Sequence, residues 1–362
     1  MQDKAKRYSN IKYTLTVIES AYILLLLFLF LSSGLSGKLS IWLNKYVLSY
    51  IVVPAYLAVV SIGYYFLNLP LEFYQSYILE HRFSLSTQSL RDWSYDQLKT
   101  LGLSFLVSLI LVMAFYIILR YTAAYWWLAI SAFWIFFSII LAKVLPVLVI
   151  PLFFKYKKLS DELLRERIMK LAERMNVKLL DCFEIDFSKK TLKANAAFVG
   201  VGNTRRVILA DTLKDKYSYD EIEVILAHEF AHCRLKHLLK LIVINSLSIL
   251  VIFYLIARTS IYALNLFGLA SLSDIASLPL IFIYFILLSV IAQPLEAFVS
   301  RSFERSADSL ALETTGLKDA FISTMNKLSE QNLSDRSPNP IIKFFFFDHP
   351  PIDERINSAK DY

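Results

Sequence analysis

Three of the chain's five histidines fall within AHEFAHCRLKH, residues 227–237. Residues four apart share one face of a helix, so His228 and His232 would present two imidazoles to a single point. That is the arrangement of two zinc ligands in a His-Glu-x-x-His motif. Glu229 stands about 100° further round such a helix, an offset that suits a base beside the metal rather than a ligand. Zinc lowers the pKa of bound water, and the carboxylate can take the proton as the water attacks a peptide carbonyl. The plainer alternative is a pair of histidines satisfying buried polar groups.

A catalytic zinc site needs a third protein ligand and an open position. Glu304, in SRSFERSAD, is the candidate. Asp308 lies four residues later on the same face, placed to accept the outer N–H of a zinc-bound histidine. Read alone, the pair is equally a solvated Glu-Arg-x-x-Asp face beside a membrane. Cys233, one residue past His232, points off the ligand face and reads as a packing residue rather than a nucleophile.

The elements that must position these residues are mostly apolar. The chain has 362 residues, 56% of them hydrophobic and only 19% charged, against about 45–50% and 25% for soluble domains. Six stretches of roughly 18–22 apolar residues are long enough to cross a bilayer as helices. They lie near Val17–Leu35, Tyr46–Leu67, Leu101–Leu119, Ala123–Ala142, Leu241–Ala257 and Ile275–Leu295. Val144–Phe154, broken by Pro146 and Pro151, reads as a continuation or a re-entrant piece.

The net charge of +7 is explained by topology. Lys4, Lys6, Arg7 and Lys12 precede the first span, Arg82, Arg91 and Lys99 lie between the second and third, and Lys155, Lys157 and Lys158 follow the fourth. The opposite loops carry little beyond Lys38, Lys45, Arg120 and Arg258. Basic loops favour the cytoplasmic side, which places both termini and the segments flanking spans five and six there. Nucleic-acid binding thereby loses its main support. Two cysteines are too few for a disulfide framework or a cysteine zinc site.

Four parts follow: a membrane domain with four spans over 1–154, a cytoplasmic α+β part carrying the histidine helix over 155–240, two spans over 241–295, and C-terminal catalytic helices over 296–362. In the second part Ser160 is expected to cap a helix whose apolar positions Leu164, Ile168, Leu171 and Met175 recur at helical spacing. Short β-like runs follow at Cys182–Phe187, Asn195–Val201 and Arg206–Ala210. Ser218 and Glu221 form a capping-box pattern that opens the histidine helix. After span six, EAFVSRSFERSADSLALETTG reads as a separate helix ending near Gly316.

Taken together, HEFAHCRLKH, SRSFERSAD and the late DHPPIDERI, with EHRFSLSTQSLRDW (Glu80–Trp93) and KANAAFVGVGNTRRVILADTL (Lys193–Leu213), resemble the type I CAAX prenyl endoprotease family of integral-membrane zinc metalloproteases. The five segments agree in order and spacing over roughly residues 60–360. The resemblance implies a mostly α fold: a polytopic helical membrane protein enclosing a chamber, with an inserted α+β, gluzincin-like zinc metallopeptidase domain. It implies one zinc per chain, held by His228, His232 and Glu304, with Glu229 as general base and Asp308 supporting a ligand. His349 and Arg355 would help hold the substrate carbonyl or tetrahedral intermediate, since both can donate to developing negative charge. Asn195, Ala196, Ala197 and Phe198 would form an edge strand onto which an extended peptide adds. The partners would be a peptide or protein substrate, prenylated or not, and membrane lipid. The location would be a bacterial inner membrane or, in a eukaryote, the endoplasmic reticulum. Ser84 stands where relatives often have Gly, and Ala297 where Asn is common. Six spans rather than the seven of eukaryotic members look more like a prokaryotic relative, whose substrate would be another membrane protein or a misfolded one.

Competing readings are a metal-binding transporter, which would not need Glu229, and an inactive scaffold, which would have lost a ligand or the base. A site-2-type intramembrane protease would carry its motif inside a hydrophobic span. Here the motif follows the charged stretch KDKYSYDEIE. There is no phosphate-binding glycine loop and no Ser-His nucleophile pattern. The sequence leaves the oligomeric state open.

Overall fold

The computed structural model describes residues 2–200 and 205–362. Residues 201–204, which include the last residue of the expected Asn195–Val201 strand, lie outside the described residues. Among the described residues six helices are long and apolar enough to cross a membrane, and the chain is a multi-pass membrane protein.

The membrane half begins with α1 (Gln2–Ser32), α2 (Leu35–Tyr46), α3 (Val52–Phe73), a single π-turn and α4 (Leu79–Arg82). It continues with α5 (Leu90–Tyr121) and α6 (Trp126–Phe153). The first helix therefore starts far before Val17. The basic N-terminal segment is helical because Ala5, Tyr8 and Leu15 form an apolar stripe that packs on Leu79 and Phe83. Gly34, at φ 69°, separates α1 from α2, so the first span ends before Leu35 and the second begins at Val52 rather than Tyr46. α6 runs unbroken through the proline-containing stretch, which makes Val144–Phe153 a continuation of the fourth span.

The insert holds β1 (Tyr156–Lys158), α7 (Glu162–Arg174), β2 (Asp181–Ile185), β3 (Ala196–Val199), β4 (Arg206–Ala210), α8 (Asp211–Lys214) and α9 (Tyr219–Arg234). Its four strands lie in the order β1-β2-β4-β3, with β2 and β4 parallel and the outer pairs antiparallel. The cap of α7 is Asp161, whose carboxylate accepts from Leu164 N–H at 3.0 Å, and not Ser160. An aspartate directly before the first helical residue outcompetes a serine one position further out. The stripe Leu164, Ile168, Leu171 and Met175 is buried, against the sheet and α9. The loop after α4 docks on the insert: Leu192 N–H donates to Leu85 O at 2.9 Å, and Thr87 N–H to Lys190 O at 3.2 Å.

The chain closes with α10 (His237–Leu266), α11 (Leu278–Thr315), α12 (Lys318–Asn332), α13 (Pro340–Phe346) and α14 (Ile352–Lys360). The sixth span and the helix expected after it are one 38-residue element, α11, with Pro294 inside it. A proline removes one backbone bond, which a membrane helix can tolerate when neighbours cover it. α11 ends as expected at Gly316, whose φ of 66° suits a residue without Cβ.

Candidate metal centre

α9 starts from a complete capping box. Ser218 N–H donates to Glu221 Oε2 at 2.7 Å, and Glu221 N–H donates back to Ser218 Oγ at 3.3 Å. Ser323 Oγ and Lys327 Nζ of α12 also donate to the Glu221 carboxylate, at 2.6 and 2.7 Å. The buried face of α9, with Ile222, Leu226 and Phe230, packs into the core of the insert. Its next face turns His228 and His232 toward α11, where Glu304 is buried.

His228 Nε2 stands 3.2 Å from Glu304 Oε2, and His232 Nε2 3.2 Å from Glu304 Oε1. The two Nε2 atoms are 3.1 Å apart. One donor atom from each of the three residues lies within 4.8 Å of the others. Glu304 Oε2 is buried and, despite that close approach, makes no hydrogen bond. Two imidazole nitrogens and a carboxylate oxygen without a hydrogen bond are a donor set that fits a divalent cation. The site draws positive charge: burial opposes a proton on His228, but Asp308 and Glu304 outweigh it and hold its pKa up at about 9.

Behind this group, Asp308 Oδ1 accepts from His228 Nδ1 at 2.8 Å. Arg355 of α14 is spent on the same carboxylate, donating from two of its nitrogens. Burial works against the guanidinium charge, and Asp308, then Glu304 and Glu229, more than restore it, so its pKa rises above the usual arginine value. A substrate carbonyl could meet only the N–H groups that Asp308 leaves over.

His349 lies in the turn between α13 and α14, half exposed, with Nε2 3.5 Å from Glu304 Oε2. Its Nδ1 pairs with Asp348 Oδ1 at 2.8 Å, and that partner, against the opposing effect of burial, raises its pKa. Arg301 of α11 fixes this turn by donating to Phe347 O at 2.5 Å. Asp348 and Arg301 carried no signal in the sequence beyond standing close to expected residues.

Glu229 opens into a cleft of about 290 Å³ shared with His232, Phe198, Gly200, Lys143 and Lys236. Phe198 packs edge-on against Phe230, centroids 5.1 Å apart, which holds β3 beside α9. Among the described residues β3 is an edge of the sheet. Asn195 O accepts from Ala210 N–H at 3.1 Å, and Ala197 pairs with Ile208. Antiparallel pairs alternate between bonded and non-bonded, so the backbone groups of Ala196 and Phe198 point away from β4. The structure thus gathers His228, His232, Glu304, Asp308, Arg355 and His349 at one point, with Glu229 and the edge strand at one cleft. His237, which the sequence reading left without a role, sits against His232.

Comparison with known proteins matches the same architecture. The model of peptidase family M48 matches residues 158–362, and that of the CAAX prenyl protease N-terminal region, described as five membrane helices, matches residues 2–155. Similar proteins include the uncharacterized metalloprotease YhfN of Bacillus subtilis, 30% identical over 98% of this chain and 84% of that protein. CAAX prenyl protease 1 of Saccharomyces cerevisiae is 29% identical over 99% of this chain and 85% of its own. The crystal structure of S. mikatae Ste24p superposes with a TM-score of 0.89 at 25% identity, covering 100% of this chain and 89% of that one.

Proposed function

This chain belongs to peptidase family M48, and from that premise we propose that its metal is zinc, held by His228, His232 and Glu304. It is a membrane metalloendopeptidase acting on peptide or protein substrates. The observation that carries the zinc assignment is the buried Glu304 carboxylate between two imidazoles, its Oε2, without a hydrogen bond, 3.2 Å from His228 Nε2 and its Oε1 3.2 Å from His232 Nε2. Nitrogen and carboxylate ligands in that number are those of a catalytic zinc site with one position open.

When bound, the metal supplies Lewis acidity to the scissile carbonyl and acidifies water at the site. Glu229 takes the proton from the attacking water and delivers it to the departing amide nitrogen. His349, whose pKa Asp348 raises, would in its protonated form donate from Nε2 to the oxygen on which charge develops. Asp308 holds His228 in the tautomer that leaves Nε2 free, and Arg355 keeps Asp308 ionised and in place. The substrate backbone pairs with the outward groups of Ala196 and Phe198 on β3, in line with the cleft that holds Glu229. The distribution of basic loops supports a cytoplasmic site and cytoplasmic termini. The names of the yeast and plant relatives support prenylated CAAX-type proteins as a substrate class.

The test compares detergent-purified wild type with Glu229→Gln on a peptide library, half of it carrying a farnesylated C-terminal cysteine. Chelator-sensitive cuts made only by wild type are expected, enriched in the farnesylated half. Cuts spread evenly over both halves would remove the lipid requirement and favour general membrane-protein turnover. An uncut library from wild type that has zinc bound would overturn the peptidase assignment.

A further inference from the structure

A metal-binding imidazole uses one ring nitrogen on the metal, and the partner of the other sets its tautomer. For His228 that partner is the charged Asp308. For His232 it is a third histidine: His232 Nδ1 and His237 Nδ1 are 3.0 Å apart. We infer that His237 is a positioning residue of the metal centre. As a neutral imidazole it accepts from His232 Nδ1 and so leaves His232 Nε2 bare for the metal. This rests on the reading of His228, His232 and Glu304 as a metal centre.

The direction of every bond in the chain follows from its far end. Phe303 O is a carbonyl and can only accept, so Ser306 Oγ donates to it, at 2.8 Å. A serine hydroxyl has one proton. With that proton used, Ser306 Oγ accepts from His237 Nε2, at 3.3 Å. A neutral imidazole that carries its proton on Nε2 has a lone pair on Nδ1. His232 Nδ1 must then be the donor between the two rings, since two lone pairs at that separation would repel. Its own single proton placed there, His232 turns an unprotonated Nε2 to Glu304 and His228, a crowding of lone pairs that a bound cation would relieve.

His237 is built to hold this orientation. It is 2% exposed, and its ring stacks on Phe303 with centroids 4.5 Å apart and planes 9° from parallel. The turn that brings it there is tight: α9 ends at Arg234, Lys236 takes a left-handed backbone with φ 56°, and α10 begins at His237 itself. Phe303 and Ser306 flank Glu304 on α11. One stretch of helix therefore supplies a ligand and, through a carbonyl and a hydroxyl, the reference that fixes the tautomer of another. A neutral partner on His232 also avoids adding a second carboxylate behind a site that already has Glu304 and Asp308.

The test uses the full-length protein in detergent, stripped with chelator and titrated with zinc against a competing chelator. Wild type is compared with His237→Leu and His237→Asn, and the melting temperature of each metal-free protein is recorded. An asparagine side-chain oxygen can stand where Nδ1 stands and accept the same bond. We expect His237→Leu to bind zinc about 10–100-fold more weakly, the usual cost of losing such a partner, and His237→Asn to recover most of that loss. Zinc affinity unchanged in His237→Leu, or lost equally in both variants, would overturn the assignment. Wild type that binds no zinc would sink the metal centre itself, a distinguishable result.

Discussion

Arg355 grips Asp308 through two parallel bonds, Nε to Oδ2 at 2.7 Å and Nη2 to Oδ1 at 2.5 Å, while Oδ1 also accepts from His228. The arginine comes from α14 near the C-terminus and the aspartate from α11. Helix α14 is therefore tied to the candidate metal centre, reaching His228 through one intervening carboxylate.

Replacing Arg355 with lysine keeps the charge and loses the fork, since an ammonium cannot match both oxygens of a carboxylate. Asp308 should then hold His228 loosely. Zinc affinity of Arg355→Lys is expected to fall by about 10–100-fold, read by competition with a chelator. Affinity equal to wild type would mean that charge alone suffices behind Asp308.

Glu229→Gln should separate binding from chemistry. The residue lines the cleft beside His232 and is outside the donor group. Metal content by elemental analysis should stay at the wild-type level, while kcat drops by about 10²–10⁴-fold, the usual share of general acid–base catalysis. Loss of metal together with activity would move Glu229 into the ligand set.

Ala196→Pro probes the edge strand. The bonded pairs of β3 with β4 fall at Asn195 and Ala197, so a proline at Ala196 removes an outward N–H and spares the ladder. One lost backbone bond is worth about 1 kcal/mol. KM for a long peptide should rise several-fold with kcat little changed. Equal KM would place the peptide elsewhere in the cleft.

Metal removal should lower the melting temperature, because a ligand bound only by the folded state stabilises it. Stripped protein leaves the buried Glu304 Oε2 without a hydrogen-bond partner. Calorimetry before and after zinc is restored should show the loss and its recovery. Curves that coincide would argue against a cation at this site.

The pairing of His228 and His232 as candidate ligands was legible because a helix puts residues four apart on one face, and α9 is a regular helix from its capping box onward. Glu304 needed a family resemblance, since nothing local tells a ligand from a solvated glutamate. His237 was in view in the same motif, yet its role was not. Its spacing of five from His232 belongs to no single helix face, and only the left-handed turn at Lys236 folds the ring back onto its neighbour. The span limits went astray where hydropathy stops reporting on helices. The polar start of α1 is helical through its contacts with Leu79 and Phe83, and α11 runs through Pro294 without a break.

That unbroken α11 has a mechanical consequence. At 1.5 Å per residue its 38 residues extend about 57 Å, far beyond the roughly 30 Å of hydrocarbon in a bilayer. Its first half has the length and hydropathy of a membrane span and its second half carries Glu304, so the two ends of a single rod would answer to different surroundings. A thinner or thicker bilayer tilts such a rod, and the tilt reaches Glu304 opposite histidines that sit on another helix. Turnover measured in vesicles of short-chain and long-chain lipids should therefore differ even for a water-soluble peptide, making membrane thickness a variable of the metal centre.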